Sequence, residues 1–299
     1  MRRATLGIGR PPFQHCNESY KTSESASLDG VSVVPAVITI NVDPTIEIGP
    51  LTIAWHGLTI AIGILIGGVV AGRLVRSRGL PVEPLQTMGI ILVVSAMVGS
   101  RIFYLAEHGQ LLDPGKWLGT RGFTFYGGLI AAALAIGGYV AKRRLSIAYL
   151  DAIAVGLPLG IAIGRIGDVI NGEHYGPETT FFLGVRNANP EADVPDHTVA
   201  YHSGGLYEVI IGAVVFAIVW PLRHRVRSPT MMIWLVFGLL AAGRFVEFFV
   251  RSDSATVALG LETAQWTSLM LMGFALVGAV VAHRVAGRRA RRDAQRVGR

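Results

Sequence analysis

Seven stretches of apolar residues divide this chain, at roughly 51–72, 84–105, 124–141, 148–170, 204–222, 230–250 and 264–285. Each approaches the ~20 residues that a helix needs to cross the hydrocarbon core of a bilayer. In that core only helices or a closed barrel satisfy the backbone, and these stretches lack the period-two alternation of barrel strands. The sequence therefore predicts an all-α integral membrane protein of about seven transmembrane helices. Composition agrees: 51% of the 299 residues are hydrophobic and 16% are charged, against about 25% charged in a soluble domain.

The connections carry an alternating charge. Arg73, Arg76 and Arg78 follow the first stretch, Lys142, Arg143 and Arg144 the third, and Arg223, Arg225 and Arg227 the fifth. Arg284, Arg288, Arg289, Arg291, Arg292, Arg296 and Arg299 follow the seventh. The other connections have few basic residues, and the longest (171–203) holds Glu173, Glu178, Glu191, Asp193 and Asp196. Basic loops stay in the cytoplasm. The expected topology has the N-terminus outside, the C-terminus in the cytoplasm and 171–203 as an acidic extracytoplasmic loop. The chain then divides into a partly disordered N-terminal arm (1–46), a seven-helix domain (47–287) and a basic cytoplasmic tail (288–299). The apolar patch at 31–38 is expected to lie on the membrane surface.

The net charge of +7 is explained by sidedness and by attraction to anionic membrane lipids. Without aromatic interleaving it does not point to nucleic acid. The single cysteine, Cys16, excludes an intrachain disulfide and a cysteine metal cluster. No metal or soluble cofactor is expected.

Polar residues inside spans are costly and face a cavity or a partner. Here they gather at one level, toward the outer leaflet. His56 opens the first helix, Arg101 closes the second, and Tyr126 opens the third. Arg165 and Asp168 end the fourth, with Asn171 and Glu173 just beyond. His202, Tyr207 and Glu208 begin the fifth, and Arg244 and Glu247 lie in the outer part of the sixth. Each alone reads as an interfacial side chain or, for Arg244 and Glu247, as an ion pair within one helix. Together they suit a phospholipid headgroup, because guanidinium matches phosphate oxygens bidentately.

The run Gly164-Arg165-Ile166-Gly167-Asp168-Val169-Ile170-Asn171-Gly172-Glu173 resembles the signature G-R-x-G-N-F-x-N-G-E of the prolipoprotein diacylglyceryl transferases. Further matches fall in the family's order: Trp55-His56-Gly57, Ser100-Arg101, Phe125-Tyr126-Gly127-Gly128, His202 with Leu206-Tyr207-Glu208, and Gly243-Arg244-Phe245 with Glu247. The resemblance covers roughly residues 47–285. It implies a multi-pass enzyme of the bacterial cytoplasmic (inner) membrane, with its active site facing the outer leaflet. That enzyme transfers the diacylglyceryl group of phosphatidylglycerol to the lipobox cysteine thiol of exported prolipoproteins, the first step of lipoprotein maturation. By the resemblance, Arg165 matches the family's phosphatidylglycerol-binding arginine and Arg244 an arginine needed for activity. With their neighbours at the same level, Tyr126, Arg244 and Glu247 are the expected catalytic residues, and Arg165, Arg101, Asp168, Asn171, Glu173, His56, His202, Tyr207 and Glu208 the expected phosphatidylglycerol-binding residues.

Three positions depart from the family pattern. Tyr126 stands where relatives often carry a histidine proposed as the base, and Asp168 replaces the signature asparagine. Glu247 follows Arg244 by three residues where four is usual, with Phe248 in the expected slot. If Tyr126 is not the base, His56 or His202 is the candidate, or the field of Arg165 and Arg244 lowers the acceptor thiol's pKa enough to replace a strong base. The alternative is an inactive or re-purposed relative that binds phospholipid, or a transporter. A transporter should show repeat symmetry and midplane polar residues, and neither is seen. A retinal pump needs a lysine in its last span, and Lys21, Lys116 and Lys142 all lie elsewhere.

Overall fold

The computed structural model describes residues 37–117, 122, 124–226, 228–251 and 256–297, without the side chains of Phe125, Tyr126 and residues 289–297. Eight helices occupy the apolar stretches: α1 (Trp55–Ser77), α2 (Glu83–Glu107), α3 (Phe125–Lys142), α4 (Ala148–Gly164), α5 (Ile166–Asn171), α6 (Gly204–Leu222), α7 (Met231–Glu247) and α8 (Thr263–Val297). By length and composition, five helical segments can cross a membrane: α1, α2, the run Ala148–Asn171 that joins α4 to α5, α6, and Thr263–Arg288 within α8. Large apolar side chains cover the outside of the molecule, with Leu65 69%, Leu134 71% and Met270 74% exposed. A surface this apolar is suited to lipid rather than water.

Small residues let the helices close up where lipid supplies no hydrophobic drive between them. Gly63 and Gly67 of α1 face Gly156 and Gly160 of α4. A Cβ built on Gly63 would lie 2.3 Å from the Gly160 carbonyl oxygen, and one on Gly156 would lie 2.3 Å from that of Gly67. The α2–α3 contact is similar, with Gly99 against the Gly127 backbone. The buried apolar core lies toward the basic end of the bundle, around Val75, Met88, Tyr149, Val155, Val219 and Val236. There the Tyr149 hydroxyl donates to the Pro81 carbonyl at 2.7 Å, tying α4 to the start of α2.

Eight short strands lie at the opposite end: β1 (Ile38–Ile40), β2 (Thr45–Ile48), β3 (Leu51–Ala54), β4 (Tyr175–Glu178), β5 (Val185–Asn187), β6 (Tyr201–Ser203), β7 (Thr256–Ala258) and β8 (Leu261–Glu262). Four of them form a sheet in the order β1-β5-β6-β4. β1 runs parallel to β5, with Ile38 opposite Val185 and Ile40 opposite Asn187. Ile38 was read from sequence as part of a surface arm, yet it belongs to this sheet; residues 31–36 lie outside the described residues. The first apolar stretch also divides differently from the reading at 51–72. Leu51–Ala54 pairs with Thr45–Ile48 in a hairpin through Gly49, and α1 begins only at Trp55.

Candidate active site

The signature segment forms a break between two helices. α4 stops at Gly164, Arg165 sits at the joint, and α5 runs for six residues to Gly172, which adopts left-handed backbone at φ 76°. Thr59 of α1 holds the joint: its hydroxyl donates to the Gly164 carbonyl at 2.8 Å and accepts from the Gly167 amide at 3.2 Å. A Cβ on Gly167 would lie 2.5 Å from His56 Cα. Only glycine allows α5 to approach the start of α1 this closely. Asn187 of β5 donates to the Val169 and Ile170 carbonyls at 2.9 and 3.0 Å, satisfying groups that end α5.

This joint positions a chain of charges. Asp168 is fully buried, and its two oxygens serve different partners. Oδ1 accepts from His56 Nδ1 at 2.5 Å, and Oδ2 accepts from Arg165 Nη1. Arg165 Nε pairs with Glu208 Oε2 on α6, whose Oε1 pairs with Arg244 Nη1 on α7. Arg251, just past α7, pairs with Glu247 at 2.8 Å and lies 3.6 Å from Glu208. Glycines again set the approach: a Cβ on Gly205 would lie 3.0 Å from Asp168 Cβ, and one on Gly204 would lie 3.0 Å from Arg251 Cδ.

Arg165, Asp168, Glu208, Arg244, Glu247 and His56 are thus joined in one network drawn from α1, the α4–α5 joint, α6 and α7. Glu173 borders it, 3.5 Å from His56 Nδ1, and accepts from Asn171 Nδ2 at 2.9 Å. His202 and Tyr207 form their own pair at 2.5 Å. Burial of the His202 imidazole, which lies on β6 outside the spans, lowers its pKa and favours the neutral form at pH 7.

Arg101 turns to the loop between α2 and α3. Its guanidinium donates to the Gly122 carbonyl at 2.9 Å and to that of Lys116, so it closes the loop between α2 and α3. Arg244 pairs with Glu208 rather than with Glu247 three residues on, because Glu247 is taken by Arg251. Arg165, Arg244 and Arg251 all pair with carboxylates. Sequence reading missed Arg251, although its spacing of four from Glu247 and seven from Arg244 marks one helical face. Tyr126 lies in the first turn of α3, and its side chain is outside the described residues.

His56, Asp168 and Glu173 each offer one ligand atom within 4.8 Å of one another. Both Asp168 oxygens are already engaged, one by imidazole and one by guanidinium. That donor set suits a hydrogen-bonded histidine better than a cation set beside Arg165. A cavity of about 590 Å³ at the basic end is lined by Arg78, Asp151, Arg223 and His224. There Arg78 donates to the Ala148 carbonyl at 3.1 Å and Asp151 accepts from the Thr230 amide at 3.0 Å, contacts that tie helix ends together.

A sequence profile described as prolipoprotein diacylglyceryl transferase matches residues 44–281, which include every member of the network. The chain belongs to this family. Among similar proteins is the phosphatidylglycerol–prolipoprotein diacylglyceryl transferase of Dehalococcoides mccartyi, 31% identical over 242 residues, which cover 79% of this chain and 92% of that protein. The transferase of the same name from Paenarthrobacter aurescens is 34% identical over 256 residues, with 77% and 79% covered. The one from Thermosynechococcus vestitus is 30% identical over 237 residues, with 76% and 87% covered. Within the prolipoprotein diacylglyceryl transferase family, this chain is a multi-pass membrane protein whose signature arginine lies at a break between helices.

Proposed function

We propose that this chain transfers the diacylglyceryl group of phosphatidylglycerol to the lipobox cysteine thiol of exported prolipoproteins, releasing glycerol phosphate. The observation that carries the proposal is the Arg165–Glu208–Arg244 arrangement. Three helical segments hold two guanidiniums on one buried carboxylate, at one end of a bundle whose outer surface is apolar. Arg244 is 41% exposed, so it can meet a headgroup while Glu208 keeps it in place. Charge-assisted bonds from Arg165 and Arg244 to the phosphate stabilise the negative charge that grows as the carbon–oxygen bond breaks. The acceptor sulfur attacks that carbon as thiolate. Glu247 and Arg251 brace Glu208. Asn171, Glu173, His202 and Tyr207 border the headgroup, and Tyr126 or an imidazole takes the thiol proton. Arg101 contributes by shaping the loop between α2 and α3.

Seven crossings, with the site toward the outer leaflet, complete the proposal. Parity supports the count. β1 and β5 are hydrogen-bonded neighbours and so lie on one side of the membrane, with α1, α2, α3 and the α4–α5 run between them. Four crossings between them, with the short helix α3 as one, return the chain to that side and support this reading. Gly176 of β4 meets the Val250 carbonyl, so α6 and the 17-residue α7 make a second even pair. The distribution of loop arginines supports the orientation. The seven-helix domain is placed at 47–287, behind an arm at 1–46 and ahead of the tail at 288–299. The deciding experiment incubates the purified protein with labelled phosphatidylglycerol vesicles and a lipobox peptide. A thioether-linked product is expected, and its absence refutes the assignment.

A further inference from the structure

Two departures from the family pattern, described above as separate, meet in the structure. An imidazole is absent where relatives often carry one, at position 126 on α3. A carboxylate is gained at position 168, where the signature has asparagine. That carboxylate is fully buried and holds a different imidazole, His56 of α1, at 2.5 Å through Nδ1. We propose that His56, oriented by Asp168, is the general base that takes the proton from the acceptor cysteine. The proposal rests on the transferase reading and names the base of that same site.

The geometry favours His56 over the other candidates. A carboxylate can only accept, so Asp168 keeps the His56 proton on Nδ1 and leaves the Nε2 lone pair to receive one. No hydrogen bond engages Nε2 among the described residues, and the side chain is 38% exposed. The charged groups facing the ring are Asp168 from α5, Glu173 from the loop beyond it and Arg165 from the joint. Arg165 occupies the other oxygen of the same carboxylate. Base and phosphate ligand are therefore held on opposite edges of Asp168, so sulfur and leaving phosphate can flank one carbon. His202 is a weaker candidate, because its Nδ1 bonds to Tyr207 rather than to a carboxylate.

In the step, the acceptor S–H bond breaks and its proton passes to His56 Nε2. The thiolate sulfur forms a bond to the terminal glycerol carbon of the diacylglyceryl group. The bond from that carbon to the phosphate oxygen breaks, and its electron pair leaves on glycerol phosphate. The imidazolium then returns its proton to the phosphate or to water. Asp168 is a positioning residue, since it acts through His56 and Arg165.

The test compares two acceptors in the same vesicles, a lipobox peptide with cysteine and one with selenocysteine. A selenol is ionised at neutral pH without help, so it bypasses the base while using the rest of the site. General bases contribute about 10²- to 10⁴-fold. His56→Gln should therefore lose at least about 10²-fold with the thiol and only a few-fold with the selenol. Asp168→Asn, which restores the residue of the family signature, should also lower the thiol-to-selenol ratio. Tyr126→Phe should keep the wild-type ratio. Equal loss on both acceptors in His56→Gln would make the residue structural and overturn the proposal. So would a full thiol rate in that variant, or the selenol-rescued pattern appearing in Tyr126→Phe. Wild-type protein that makes no product with either acceptor refutes the transferase assignment itself, and this role falls with it.

Discussion

The contact between α1 and α4 makes a quantitative prediction about catalysis at a distance. In Gly63→Ala the new Cβ would lie 2.3 Å from the Gly160 carbonyl oxygen and 3.2 Å from the Gly164 amide nitrogen, where ordinary contact begins at 3.4 Å. The neighbouring atoms are backbone, so no side chain can yield, and the helices must part by roughly 1 Å. His56 is carried on α1 and Arg165 follows Gly164, so the shift falls between the proposed base and the proposed phosphate ligand. A misplacement of about 1 Å can cost ~10²-fold in rate, whereas overpacking costs about 1–3 kcal/mol in stability. Gly63→Ala should therefore stay folded in the membrane, melt at a lower temperature and lose about 10²-fold in kcat/KM for thioether formation. Gly68→Ala is the matched control on the same helix, because a Cβ there meets nothing within 4 Å. Equal rates for the two variants would refute the link between helix approach and site geometry.

Other predictions concern topology and charge. In a Cys16→Ser background, Glu191→Cys should react with an impermeant maleimide added to intact cells, and Arg225→Cys should react only after permeabilisation; the reverse pattern would move the site to the cytoplasmic leaflet. Arg165→Ala should abolish thioether formation while leaving folded protein, and Arg165→Lys should rescue poorly for want of a bidentate fork; full activity in Arg165→Ala would remove its assigned role. Glu208→Gln deprives Arg165 and Arg244 of their shared counter-charge. It should cost about 3 kcal/mol, read as a drop in melting temperature together with lost activity; an unchanged melt would show that the network does not hold the helices.

The helices were legible because apolar runs of membrane length leave few alternatives. The polar level was legible because charge inside a span is rare enough to mark a site. Pairing was not. Spacing along one helix suggested Arg244 with Glu247, but the geometry between helices gives Arg244 to Glu208 and Glu247 to Arg251. Arg101 shared its depth with the network, yet its guanidinium turns to loop carbonyls, a direction that depth cannot reveal. The break at Arg165 has no proline to announce it. It comes from Thr59, more than a hundred residues earlier, which bonds both sides of the joint. The role of Ile38–Ile40 was hidden for the same reason, since its partner strand lies beyond five helices, α1 to α5.

That last pairing sets an order of assembly. β1 leaves the ribosome before α1, and its partner β5 follows about 150 residues later, a long loop to close. A chain stopped before Val185 can hold helices α1 to α5 and the α1–α4 glycine contact, yet its first strand still has an open edge. The sheet is therefore a late event, completed only after the signature segment has been made. Until then β1 carries amides and carbonyls that lack their β5 partners, an edge open to pairing with another strand.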